Sequence, residues 1–337
     1  MDAFGALMLA SGGGSGASGA LVSISPPVLF FFLGVLVVLV RSHITIPEAA
    51  TKLLSLYLLW AIGFRGGVEL VGSGLNAEAM KTAAAALGLS VLIPVLGYST
   101  LRRLVARKDA AAISACYGSV SVVTFLTASA TLDQAGTPFS GYMVAVMALM
   151  ESPAIVISLI LLNLDKKHGT ERSEGPGIGT LLHESLLNGP VLLLLGSIVV
   201  GVLTGQRGYE AFKPLCTDAF PGALAFFLLD LGMIAARRLG DVARAPRLVL
   251  AYAVVGPLVH AAMAIAAAKW LGIGPGDAIL LAVLAASASY IAAPAALRLA
   301  IPKADPGLYV ALSLGVTFSF NIVAGIPLYA AVVKWLW

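Results

Sequence analysis

The sequence predicts an all-α polytopic membrane protein with ten transmembrane helices arranged as two inverted five-helix repeats. Three observations predict it. Of 337 residues, 59% are hydrophobic and 11% charged, less than half the roughly 25% charge of a soluble domain. Apolar runs close to the roughly 20 residues that cross a hydrocarbon core of about 30 Å recur along the chain, with short polar breaks between them. One short motif also recurs in both halves of the chain, in corresponding helices.

The elements follow in order. The N-terminal residues contain the tract GGGSGASG and no Lys or Arg before Arg41. Lacking the basic n-region of a signal peptide, they read as a tail leading into the first helix. Helices are predicted near 26–40, 47–72, 78–103, 109–132 and 138–164, which makes 1–164 the first repeat. Residues 165–184 form the linker; DKKHGTERSEGPGIGT at 165–180 is the most polar stretch of the chain. The second repeat, 185–337, carries helices near 185–204, 219–239, 246–271, 277–299 and 307–336.

The net charge is +4. Most Lys and Arg flank the linker and the loops on its side of the membrane, among them Arg102, Arg103, Lys108, Lys167, Arg237 and Arg238. This places the linker in the cytoplasm and both termini outside it. The basic residues form no run with interleaved aromatics, so the lipid bilayer is the predicted partner and nucleic acid is not. Cys116 and Cys216 fit no metal or redox spacing and read as unpaired apolar residues. No nucleotide loop, HExxH or nucleophile–base arrangement occurs. The chain therefore reads as neither an enzyme nor an ATP-driven pump, with no cofactor, and any active transport would draw on an ion gradient.

The recurring motif is DAAAISACYGSVS from Asp109 and DAILLAVLAASAS from Asp277. A single offset carries Asp109, Ser119 and Ser121 onto Asp277, Ser287 and Ser289. Five helices per half is an odd number, so the second half enters the membrane from the opposite side, an arrangement common in transporters. Asp109 and Asp277 stand at helix starts, where a carboxylate favours the positive end of the helix dipole. Ser121 lies roughly 18 Å into its helix, just past the midplane, and Ser289 lies equally deep from the other face. Pro294 cannot donate to the carbonyl of Tyr290, so the helix loses a bond there. Unwound backbone at this depth survives only inside protein or against water. Two broken helices would offer hydroxyls and the positive ends of their second halves to a small anion, and the carbonyls of their first halves to a cation. The competing reading is that these serines are small packing residues that let helices approach.

Ionisable groups in the apolar zone are costly and mark candidate sites. Glu151, just before Pro153, could coordinate Na⁺, carry a proton or form a structural ion pair. Asp230 in FFLLDLGM could face the substrate path or pair with an Arg. Arg65 and Glu69, one turn apart, are expected to pair. His260 reads as a hydrogen-bonded packing residue. Thr317, Ser319 and Asn321 could complete an ion site or serve helix packing.

Eight stretches carry a family resemblance: IPEA at 46–49, IGFRGG at 62–67, YGSVSVVT at 117–124, ESPA at 151–154, ESLLNGP at 184–190, PLVH at 257–260, AASASYIAAPAALRLAIPKADPGLY at 285–309 and GIPLY at 325–329. Over nearly its whole length the chain resembles the SbtA-type sodium-dependent bicarbonate transporters. The resemblance implies a fold similar to bile-acid sodium symporters. Helices four and nine would be broken, crossing at mid-membrane in a core domain that moves against a gate domain. It implies a secondary active transporter for Na⁺-coupled uptake of bicarbonate across a bacterial inner membrane, assembled as a homotrimer and open to a PII-like cytoplasmic regulator. Carried over by motif, the substrate pocket involves Gly118, Ser121, Thr124, Ser287 and Ser289, and the repeated motif adds Ser119 as a candidate. Tyr290 stands where the family has Asp, and Val123 where it has a serine. Tyr290 would add a phenolic donor on a bulky ring. Glu151, Asp230, Thr317 and Asn321 are the ion-coupling candidates, with Na⁺ near Glu151 and the helix breaks at Ser121 and Ser289. Two further readings fit the chain: a related transporter of an organic anion, and a sensor or binding protein of the same fold that moves nothing.

Overall fold

The computed structural model describes residues 26–73, 76–151, 153–166 and 189–337; the expected N-terminal tail, most of the linker and the start of the sixth predicted helix lie outside them. Every regular element among the described residues is helical. The first helices are α1 (Pro26–Leu39), α2 (Glu48–Ser73) and α3 (Ala77–Leu101). Asn76 starts α3 by accepting the Ala79 N–H at 2.8 Å, which satisfies one of the amides a helix start leaves open. The fourth predicted helix is two pieces, α4 (Arg107–Gly118) and α5 (Val122–Gln134). The fifth divides into α6 (Tyr142–Glu151) and α7 (Pro153–Lys166). Pro153 opens α7, where its missing N–H costs no bond.

In the second half, α8 spans Gly189–Lys213 and bends at Gly205, whose φ of 55° glycine adopts without strain. The expected helix end at 204 is this bend, and the helix continues past it. A wide π-type turn, Pro214–Asp218, leads to α9 (Phe220–Arg237), α10 (Leu239–Arg244) and α11 (Arg247–Leu271). The ninth predicted helix is α12 (Pro275–Ala286) and α13 (Ala292–Ala300). The tenth is α14 (Pro306–Val310), two π-type segments at Ala311–Phe318 and Asn321–Gly325, and α15 (Ile326–Leu336).

Among the described residues, 7 segments rather than ten are long and apolar enough to cross a membrane. The difference has physical causes. Leu192–Arg244 is one run of 53 residues that includes most of α8 and all of α9. Pro26–Leu39 and Pro275–Ala286 are apolar but short, the second because its helix stops at a break.

The helices pack in two groups, each drawing on both halves of the sequence. In the first group α1 pairs with α9, and α2 with α8. A Cβ on Gly34 or Gly232 would strike the backbone of Leu229 or Phe31, and Gly67 and Gly201 meet Ile198 and Phe64 in the same way. Such small residues let apolar helices approach closely where no hydrophobic drive separates helix from lipid. In the second group α4 packs on α3 and α7, and α12 packs on α11, α15 and α5. The apolar window within Arg107–Gln134 is 94% buried against 39% for α3, so α4 and α5 form the interior of this group.

Several polar expectations resolve here. Arg65 Nε pairs with Glu69 at 2.8 Å as expected, and its Nη1 reaches Asp133 of α5 at 2.7 Å, linking the two groups. Asp109 and Asp277 do lie in first turns, but their carboxylates also tie helices together. Asp109 accepts the Asp305 N–H at 2.8 Å. Asp277 accepts the Ser140 N–H at 2.7 Å and the Tyr142 hydroxyl at 2.6 Å. The hydrogen bond expected of His260 is not made at Nδ1, which is buried without a partner; the ring packs on Tyr252 with centroids 6.3 Å apart. Cys116 and Cys216 are both free and buried.

Candidate functional site

The two helix breaks meet. Ser119 (φ −82°, ψ 172°) ends α4 and Ser287 (φ −80°, ψ 166°) ends α12 in the same extended conformation. The backbone then crosses. Ser121 N–H donates to Ser287 Oγ at 2.9 Å, and Ser289 N–H donates to the Cys116 carbonyl at 2.8 Å. Each break thus satisfies backbone that the other leaves open, as burial requires.

The serines divide into two kinds. Ser119 Oγ donates to the Glu151 carbonyl at 2.9 Å. Ser287 Oγ donates to the Leu284 carbonyl at 2.8 Å while accepting from Ser121. Their hydrogens are spent on the scaffold. Ser121 Oγ caps α5 by accepting the Thr124 N–H at 3.2 Å, and Ser289 Oγ accepts the Ala293 N–H at 3.0 Å. Each of these second serines keeps its own hydrogen to give, and both line a cavity. Pro294 lies in the first turn of α13, where a missing N–H is harmless.

The cavity measures about 60 Å³, several times the 10–15 Å³ that one water requires. It lies between the two helix groups. The first group supplies an apolar wall, Leu58 and Leu59 of α2 and Phe227 of α9, with Ser55 beside them. The second supplies the polar side: Ser121, Ser289, Tyr290 and Glu151. Glu151 is 5% exposed, and no cation or hydrogen-bond donor among the described residues reaches its carboxylate. Tyr290 is buried, packs its ring on Phe318 with centroids 5.3 Å apart, and faces Ser121 without a hydrogen bond of sound geometry. The cavity therefore combines hydroxyl donors, one lone carboxylate and the starts of α5 and α13, whose open N–H groups favour negative charge.

The remaining candidates lie behind the site. A Cβ on Gly118 would come within 2.6 Å of Pro94 Cδ and 2.7 Å of Ala154 Cβ, so this glycine lets α4 end tightly against α3 and α7. The Thr124 hydroxyl is buried without a partner and its residue does not line the cavity. Thr317 Oγ1 gives its hydrogen to the Ala253 carbonyl at 2.7 Å and accepts that of Tyr117 at 2.5 Å. Asn321 Nδ2 donates to the Ala286 carbonyl at 2.8 Å and its Oδ1 accepts from Tyr329 at 2.9 Å. It closes the carbonyl end that the break in helix nine exposes. Asp230 accepts the Thr51 hydroxyl at 2.6 Å between α9 and α2, outside the cavity wall. Among the described residues no group of three or more His, Cys, Asp or Glu could hold a metal. A cation in this cavity would therefore sit on one carboxylate plus hydroxyl and carbonyl oxygens.

The sequence reading missed Ser55, Leu58, Leu59 and Phe227. The leucines and Phe227 look like any lipid-facing residue, and of the four only Ser55, a hydroxyl within the apolar run of α2, carried a signal.

A family model described as the Na⁺-dependent bicarbonate transporter superfamily matches residues 26–334. No curated protein matches the chain.

Proposed function

The chain belongs to the Na⁺-dependent bicarbonate transporter superfamily, and from that premise we propose that it carries bicarbonate, or a similar small anion, into the cell by Na⁺-coupled secondary active transport. The observation that carries the reading is the cavity at the crossed breaks, with donors on one side and the unpaired Glu151 carboxylate beside them. An anion about 4 Å from a carboxylate is repelled by roughly 4 kcal/mol at a protein-like dielectric. A Na⁺ ion bound with it cancels that repulsion. Each ion then raises the affinity for the other by the same factor, which is what coupling requires.

Movement follows from where the cavity lies. The second helix group, with both breaks, acts as the core and the first group as the gate. Sliding one past the other would open the cavity to each side in turn. This proposal takes the chain as ten helices in two inverted repeats, 1–164 and 185–337, joined by the linker 165–184. It places both termini outside the cytoplasm of a bacterial cell and assembles the chain as a homotrimer with a PII-like regulator at its cytoplasmic face. The cavity's small volume favours bicarbonate over a larger organic anion. The test is uptake of radiolabelled bicarbonate into vesicles holding the protein. Uptake should rise when an inward Na⁺ gradient is imposed. Uptake indifferent to Na⁺ would remove the coupling, and bicarbonate bound but not moved would leave a sensor of the same fold.

A further inference from the structure

We propose that this cavity selects anions that carry their own hydrogen, with Glu151 accepting the hydroxyl hydrogen of the bound anion; the inference rests on the reading of the cavity as the anion site. Donors and acceptors in the cavity do not match a bare oxyanion. The donors are the hydrogens of Ser121, Ser289 and Tyr290. The two serine oxygens already accept from Thr124 and Ala293, and the Tyr290 hydroxyl is unpartnered and buried. These groups can satisfy the oxygens of a small anion. The same cavity holds an acceptor that a bare oxyanion could meet only across a bound Na⁺, the Glu151 carboxylate, which among the described residues meets neither donor nor cation.

Bicarbonate fits both sides. Its two unprotonated oxygens face the hydroxyls, and its third turns an O–H toward Glu151. A hydrogen bond from a hydroxyl to a carboxylate is short and strong. Nitrate has the same planar shape, charge and number of heavy atoms but no hydrogen. Its third oxygen would face Glu151 lone pair to lone pair. A carboxylate offers about four acceptor positions on two oxygens, so Glu151 can take the anion's hydrogen at one oxygen while Na⁺ sits at the other. Sites built to bond a substrate hydroxyl reject analogues that lack it far more strongly than apolar pockets reject a size change.

The test is displacement of radiolabelled bicarbonate from the purified full chain in Na⁺ buffer by unlabelled bicarbonate, bisulfite, nitrate and formate. Bicarbonate and bisulfite should displace it, with nitrate and formate weaker by roughly tenfold or more, the worth of a hydrogen bond to a charged group. Glu151→Gln presents an amide that can donate or accept, and should bring nitrate and bicarbonate to similar affinity. Nitrate matching bicarbonate on the unaltered protein would overturn the proposal while leaving the cavity as an anion site. Absence of any bicarbonate binding would overturn both. The measurement on the unaltered protein decides even if the variant fails to fold.

Discussion

Ser121 donates its backbone N–H to the hydroxyl oxygen of Ser287 at 2.9 Å, across 166 positions of sequence. This bond, with that from Ser289 N–H to the Cys116 carbonyl, joins the two helix breaks and makes Ser287 a scaffold residue, while the Ser289 hydroxyl, two positions on, keeps its hydrogen for the cavity. The same division separates Ser119 from Ser121.

The division predicts opposite outcomes for adjacent serines. Ser287→Ala strands the Ser121 N–H in a buried site and should cost about 1–3 kcal/mol of stability, read as a lowered Tm in detergent. Ser289→Ala should lose about 1 kcal/mol with its bond to the Ala293 N–H and weaken bicarbonate binding by severalfold or more. Equal effects of both substitutions on binding would erase the distinction.

Glu151→Gln removes a buried charge that no partner among the described residues offsets. The desolvation penalty of that charge is lost with it, so the variant should melt at or above the Tm of the unaltered protein in Na⁺-free buffer. Adding Na⁺ should raise Tm for the unaltered protein by linkage and leave the variant unmoved. A Na⁺ shift of equal size in both would place the cation elsewhere.

Gly118→Ala pushes a methyl into Pro94 and Ala154. Overpacking of this kind costs about 1–3 kcal/mol. The expected result is a lower Tm with the bicarbonate affinity of the folded fraction little changed, since Gly118 does not line the cavity. A selective loss of affinity with unaltered Tm would restore the ligand role that the sequence motif suggests.

Asn321→Leu leaves the Ala286 carbonyl and the Tyr329 hydroxyl without their buried partner. It should destabilise by about 1–3 kcal/mol, followed by Tm, and the effect should appear equally in Na⁺ and in a Na⁺-free buffer. A loss confined to the Na⁺ response would make Asn321 an ion ligand rather than a brace.

The helical architecture and both breaks are legible in the sequence because they rest on local chemistry. Apolar length marks the helices, and the repeated Ser-x-Ser marks where helix bonds fail; Pro294, expected to break the second helix, lies past the break in the first turn of α13. Glu151 is legible because a carboxylate in an apolar run is rare. The partners of Thr317, Asn321 and Asp230 are not. Whether a hydroxyl or amide is spent depends on which carbonyl a distant helix presents, here Ala253 and Ala286, and for Asp230 on Thr51, 179 positions away. The apolar wall of Leu58, Leu59 and Phe227 is equally illegible, since a leucine facing a cavity and one facing lipid belong to the same pattern.

The most direct test of the account is reciprocal binding on the purified chain: bicarbonate affinity measured across a Na⁺ titration, and Na⁺ affinity measured with and without bicarbonate. The account predicts that each ion strengthens the other by the same factor and that Glu151→Gln removes the effect. A bicarbonate affinity that stays flat from Na⁺-free to saturating Na⁺ would contradict it.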